Sequence, residues 1–231
     1  MPVGEKYPDG SVIFYIIKGI KNQNSAKDAG EFTVTTLNYI DGEYYAVDTQ
    51  TEPTSFTAIP GKISIVGEIE IIDAENAMKD AQYNLKFISE DSLPTAGYVL
   101  VEFPEEIVLN PAHTLSSGSC KKYYCSEVTE NSAKFLILDG LEPLTEYTLE
   151  IGGATNPRTF MPTGNFKITT LDIHGVTPID IGFEVPTAMS IPGDMPNFAI
   201  EQSSRVNGEI VTMTFTSGIE IPIKQGDRLI L

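Results

Sequence analysis

Tryptophan is absent from this chain of 231 residues, and histidine and cysteine occur only twice each. No Gly-x-Ser-x-Gly, His-Glu-x-x-His, phosphate loop or dinucleotide fingerprint occurs either, which removes the commonest hydrolase, metalloprotease, nucleotidase and dehydrogenase chemistries. Nucleophilic catalysis needs a base held beside its nucleophile by a third group, and two isolated histidines supply no such set. The expectation is that the chain is not an enzyme. Positive charge is scarce too: 15 Lys and Arg stand against 32 Asp and Glu, for a net charge of −17. Such a surface repels a phosphate backbone or an anionic membrane, so no nucleic-acid partner is expected. No apolar run reaches the roughly eighteen residues of a membrane span, and Met1 to Glu5 lacks the basic and apolar parts of a leader. If the protein is secreted, its targeting signal is expected outside this piece. No Asn-x-Ser/Thr acceptor occurs, so N-glycosylation within this stretch is not expected. What remains is 41% hydrophobic, enough to build a core.

The two cysteines are Cys120 and Cys125, in Ser-Cys-Lys-Lys-Tyr-Tyr-Cys. Four residues between β-like segments let the sulfurs meet across a tight loop, whereas a metal would need two further ligands that no second cysteine pair or nearby histidine supplies. A disulfide between Cys120 and Cys125 is expected, and with it an oxidising compartment.

The chain repeats itself. Ile17 to Leu37, moved forward by 134 positions, lies on Ile151 to Leu171 with eight identities in 21 ungapped positions: Ile17, Gly19, Asn22, Gly30, Phe32, Thr35, Thr36 and Leu37 recur as Ile151, Gly153, Asn156, Gly164, Phe166, Thr169, Thr170 and Leu171. Unrelated segments of that length share about one or two. A second echo, at an offset near 128, places Tyr83 to Phe87 with Leu93-Pro94 on Ile210 to Phe215 with Ile221-Pro222, and Gly97 to Val101 on the stretch from Gly226. The joints fall near Pro60-Gly61 and Pro192-Gly193. The expected organisation is the C-terminal part of one module over 1–59, a complete module over 60–191 and the N-terminal part of a third over 192–231, an excerpt of a longer array with about 130 residues per repeat.

Alternation and short β-branched runs bounded by Gly, Pro, Asn and Asp run from end to end. Strands are expected at Val12 to Ile17, Glu31 to Leu37, Glu43 to Val47, Ile63 to Ile72, Gln82 to Ile88, Tyr98 to Phe103, Ala133 to Leu138, Thr145 to Ile151, Asn165 to Leu171, Ile179 to Val185, Glu209 to Thr216 and Arg228 to Leu231. Asp73 to Asp80 has helical composition but is read as a linker. Strands without βαβ alternation predict an all-β sandwich. Leu144-Thr-Glu-Tyr147, after Leu141-Glu-Pro143, has the form of the tyrosine-bearing corner of immunoglobulin-like and fibronectin-like sandwiches.

The order of elements carries a resemblance. A Tyr-x-Leu-x-Phe strand, a Leu-Pro loop, Gly97-Tyr-Val-Leu-Val-Glu-Phe-Pro104, a small cysteine loop, Gly152-Gly-Ala-Thr-Asn-Pro157 and Thr163-Gly-Asn-Phe-Lys-Ile-Thr-Thr170 together resemble the tandem immunoglobulin-like repeats of very large secreted surface proteins, such as those encoded in quantity by ciliates. The resemblance spans essentially the whole chain. It implies immunoglobulin-like β-sandwich modules, turns at the Asn-Pro and Thr-Gly steps, and Phe166 and Ile168 pointing inward. It brings no catalytic residue. The earlier copy has Gln23 where Pro157 stands, so the proline is not obligatory.

Two binding chemistries deserve weight beside a purely structural role. Hard cations need several converging oxygens, and Asp73, Glu75 and Asp80, with Asn76 between them and Asp41 and Glu43 in the preceding turn, could hold calcium at a module joint, although such residues are also the vocabulary of solvated turns. Exposed tyrosines could stack on a glycan, and Tyr39, Tyr44 and Tyr45 lie close together, as do Tyr123 and Tyr124. Adjacent strand residues face opposite ways, so only one of each adjacent pair can join a platform. His113 reads as a turn residue. His174, near Asp172, has Ile40 at the matching place of the earlier copy. The expected function is a structural segment of an extracellular or cell-surface fibrous or adhesive protein, a spacer, stalk or filament unit. Its partners would be neighbouring modules or copies of itself, with a glycan- or calcium-binding module as the alternative.

Overall fold

The computed structural model describes residues 8–12, 14–52, 54–115, 120, 122–182 and 188–230. The leader positions Met1 to Glu5, and the expected strand ends beyond residue 182 and at Leu231, lie outside the described residues. The strands are β1 (Thr35–Ile40), β2 (Glu43–Thr49), β3 (Gly61–Ile65), β4 (Glu70–Ile72), β5 (Ala81–Ser89), β6 (Gly97–Glu102) and β7 (Val108–Leu109). They continue with β8 (Tyr124–Val128), β9 (Ser132–Ile137), β10 (Glu146–Thr155), β11 (Lys167–Leu171), β12 (Pro178–Gly182), β13 (Ala199–Gln202) and β14 (Met213–Thr216). The one helix among the described residues is a single turn, α1 (Pro111–Thr114), capped by the Asn110 side chain.

Every second side chain of β5 is buried, from Ala81 through Tyr83, Leu85 and Phe87 to Ser89, the signature of a strand with one face in a core. β9 alternates in the same way, and β6 has buried Gly97, Val99 and Val101. The strands form one continuous path, β7-β10-β5-β3-β12-β11-β6-β9-β8, with β4 also on β5. The pairs along it are antiparallel except β3 with β12, which run parallel with Asp180 beside Gly61. The path folds into two layers, giving a nearly all-β, sandwich-like unit. β3 lies at the turn between the layers, bonded to β5 on one side and β12 on the other.

The hydrophobic residues buried among the described positions all fall between Ile63 and Ala188. At the centre Phe166 packs edge-on to Phe103 at 5.2 Å and lies 6.1 Å from Tyr83. On the outer face Lys167 pairs with Glu102 at 2.5 Å. Outside this unit the hairpins β1-β2 and β13-β14 present exposed side chains at almost every position.

Several expectations differ from the structure: residues 228–230 of the last expected strand are exposed and form no strand, and the strand expected from Glu209 begins only at Met213. The stretch Ile63 to Ile72 is two strands, because Gly67 turns the chain at positive φ between them. Residues 14–17 of the expected first strand are unpaired and exposed, having no neighbour to bond. Phe32, the counterpart of the fully buried Phe166, is 50% exposed and stacks only on Phe56, since no second layer covers that hairpin. Asp73 to Asp80 is a connection without helix, with Asp73, Ala77 and Asp80 all at positive φ.

Candidate functional site

The most heavily bonded polar cluster sits where β10 ends and the 73–80 connection crosses it. β10 bulges between Ile151 and Ala154. Gly153 stands there at a φ of 78°, and a Cβ would lie 2.7 Å from Thr114 Oγ1. That close approach seats α1: Thr114 Oγ1 donates to Gly152 O at 3.0 Å and Asn110 N–H to Gly153 O at 2.8 Å. One residue past the end of β10, the buried Asn156 bonds through both ends of its side-chain amide. Tyr83 Oη donates to its Oδ1 at 2.8 Å, and its Nδ2 donates to Asp73 O and Glu75 O, both at 2.8 Å. Burial pushes the Tyr83 phenol well above its usual range, so it stays a neutral donor. The backbone adds Asn156 N–H to Met78 O and Ala77 N–H to Pro157 O.

The same end of the unit reaches the C-terminal segment. Ile191 N–H donates to Ala74 O at 2.8 Å, and Asn76 N–H to Ile191 O at 2.7 Å. Arg158 donates to Pro222 O and pairs with Asp227 at 2.5 Å. The Lys224 amide and then the Arg158 guanidinium hold the Asp227 carboxyl below the usual carboxylate range. A groove of about 780 Å³ opens here between Asn76, Met78, Glu106, Glu220 and Lys224.

Among the residues expected to bind, Asp73 and Glu75 come together through their backbone carbonyls on Asn156, while their carboxylates are exposed. Asp80 Oδ1 lies 3.6 Å from His113 Nδ1. Asp41 is in the β1-β2 turn at positive φ, and Glu43 accepts from Tyr45 Oη at 2.9 Å. Among the described residues no three acidic, histidine or cysteine side chains converge on one point. Cys120 and Cys125 are joined in a disulfide, with Cα atoms 6.1 Å apart, tying the loop before β8 to that strand. Tyr39 and Tyr44 face each other across the β1-β2 hairpin with ring centroids 4.8 Å apart and both rings exposed. His174 meets Asp172 through its backbone: the amides of His174, Val176 and Thr177 donate to Asp172 Oδ1. Slight desolvation pushes that carboxyl up, and these bonds more than offset it, leaving its pKa lowered.

One polar site has no counterpart in the expectations. Asp180, fully buried on β12, accepts from Ser89 Oγ and from Asp91 N–H at 3.0 Å through Oδ2, while Oδ1 has no hydrogen-bond partner. Its own N–H donates to Thr170 Oγ1 at 2.9 Å. Gly61 makes room for it, since a Cβ there would sit 2.1 Å from Asp180 Oδ1. The β1-β2 hairpin repeats the arrangement, with Asp48 N–H donating to Thr36 Oγ1 at 3.0 Å. The signal was present in the sequence: both aspartates follow a Thr-Thr-Leu, and a two-residue difference in hairpin length hid the match from an ungapped comparison.

These groups tie strands to each other and to the connections. Among the described residues no helix is long and apolar enough to cross a membrane. No protein-family model matches the chain, and no curated protein matches it.

Proposed function

We propose that the chain is a non-enzymatic segment of tandem immunoglobulin-like β-sandwich repeats, serving as a spacer or stalk in an extracellular or cell-surface fibrous or adhesive protein. The observation that carries this reading is the repetition of the unit's own parts in its flank: the Thr36 and Asp48 bond of the β1-β2 hairpin repeats the Thr170 and Asp180 bond of β11-β12, and Thr36 stands in a segment that shares eight of 21 residues with its later copy. A chain that restates one strand-pairing device along its length suits a unit whose task is to stand in series with others like it. Glu142 N–H donates to Tyr147 Oη at 2.8 Å, the bond expected of a tyrosine corner, which supports the immunoglobulin-like assignment. The disulfide supports an oxidising compartment. Calorimetric titration with calcium chloride, run beside a glycan array, tests the reading. A spacer gives no saturable heat and no bound sugar, and either signal overturns it. Glycan binding is the second reading, favoured by the exposed, facing rings of Tyr39 and Tyr44. On that reading the array gives hits that Tyr44→Ala removes.

A further inference from the structure

The middle of the central unit is two halves, 61–102 and 146–182, joined by three strand pairs: β5 with β10, β3 with β12 and β6 with β11. The flanking segments contain a second version of each half. In the C-terminal segment β14 matches β5, with Phe215 in the place of Phe87. β13 lies along it as β3 lies along β5, pairing Ile200 with Phe215 where Ile65 pairs with Phe87. The edge is also the same one. Val66 N–H donates to Lys86 O and Ser203 N–H to Thr212 O, residues of equal parity in the matched strands, and alternate peptide groups of a strand face opposite edges. The remaining edge of β14 is therefore the one that β10 occupies on β5.

In the N-terminal segment the β1-β2 hairpin matches β11-β12, down to the Thr36 and Asp48 bond that repeats Thr170 and Asp180. Residues 14–17 stand at the positions of 148–151 in β10. Tyr15 and Ile17 replace the fully buried Leu149 and Ile151, yet they are 56% and 74% exposed. Among the described residues no backbone hydrogen bond joins 8–52 to 199–230.

We propose that segment 199–230 of one copy docks on segment 14–49 of a second copy, with Phe14 to Ile17 adding to the open edge of β14 in the register of β10 on β5. Tyr15 then lies opposite Met213, and Ile17 opposite Val211, as Leu149 lies opposite Leu85 and Ile151 opposite Tyr83. The residues following Gly226 meet β1 as β6 meets β11. These parts supply the uninterrupted middle of the strand order, β10-β5-β3-β12-β11-β6, and leave out β4 and the outer strands β7, β8 and β9. Pairing an open edge with a matching strand while covering exposed apolar side chains is the physical basis of strand addition. The contact is head-to-tail, so repetition extends a linear assembly. This deepens the repeat-array reading above by naming its partner as another copy.

Sedimentation velocity of the whole chain from about 1 to 200 μM should show mass rising with concentration. Ile17→Asp or Met213→Asp should abolish that rise and leave the thermal melt of the central unit unchanged. Under oxidation, a Phe14→Cys chain mixed with a Thr214→Cys chain should give a cross-linked dimer. These two positions form a non-hydrogen-bonded pair, whose Cα atoms approach most closely. Tyr15→Cys mixed with Thr214→Cys, on opposite faces, should give about ten-fold less. A monomer at every concentration, association undiminished by Ile17→Asp, or a Phe14→Cys/Thr214→Cys double variant that closes only within one chain at dilution would each overturn the proposal. None of these results touches the spacer reading, which falls to calcium or glycan binding instead.

Discussion

Asp180 holds a carboxyl where water does not reach it, and desolvation raises its pKa above the ordinary 3.8, with the Ser89 and Asp91 bonds opposing and the Asp91 charge adding to the rise. An acid whose folded-state pKa is raised contributes stability that is fully present below the ordinary value and is lost as pH climbs through the raised one. Asp180→Asn keeps an acceptor for Ser89 and Asp91 and removes the buried charge. It should therefore raise stability at neutral pH, with the gain fading toward pH 3.8, read as the difference in urea midpoints between the two proteins across that range. Asn156 is a cost of the opposite kind. Asn156→Ala leaves the buried Tyr83 hydroxyl and two carbonyls without their partner, and it should destabilise by about 2–4 kcal/mol in urea denaturation, since each unpaired buried group costs roughly 1–3 kcal/mol. A loss below about 0.5 kcal/mol would mean that water replaces the amide.

Around β11, alternation makes adjacent residues unequal. Phe166→Ala empties a site shared with Tyr83 and Phe103 and should cost about 3–5 kcal/mol, whereas Lys167→Ala removes one surface ion pair and should change stability by less than about 1 kcal/mol. Equal small effects in denaturant would put Phe166 on the wrong face. The cysteine loop is short, so replacing both Cys120 and Cys125 by serine should lower stability by about 2 kcal/mol or less, with faster amide exchange confined to the loop and β8. Most of the central strands were legible because their side chains alternate against a core: the expected cores of β5, β6, β9, β10 and β11 coincide with the structure. β8 was not legible, because at this sheet edge only Cys125 is buried and the exposed Tyr124 and Glu127 blur the pattern. β7 is two residues long and is defined by its partner β10 rather than by its own sequence. The Asn-Pro step was read as a turn, but nothing local says that Asn156 would bond residues 73 and 75, which reach it only through the fold. Asp180 was hidden for the same reason, since its partners Ser89 and Asp91 lie on another strand.

For the molecule as a whole, the confinement of buried apolar side chains to the stretch from Ile63 to Ala188 has a direct test. A protein of residues 60–191 alone should unfold in one cooperative transition, with a midpoint within a few degrees of the full chain's, roughly what a loss of 1 kcal/mol would cause. A large drop would show that a flank contributes to the core. The parallel pairing of β3 with β12 sets where the two ends leave this unit. Because the first and last strands run the same way, the polypeptide enters β3 and leaves β12 at opposite ends of the pair, and Ala188 to Ile191 stay bonded to Thr163, Ala74 and Asn76 beyond it. Tension applied through the flanks therefore meets the Ile191 bonds first and only then acts along the pair, loading its hydrogen bonds together in shear instead of peeling them one at a time. The Ser89 bond to Asp180 reaches from β5 to β12 past β3 and ties the same seam. Stretched between residues 60 and 191, the unit should release 188–191 in a short first step and then give way in a single event.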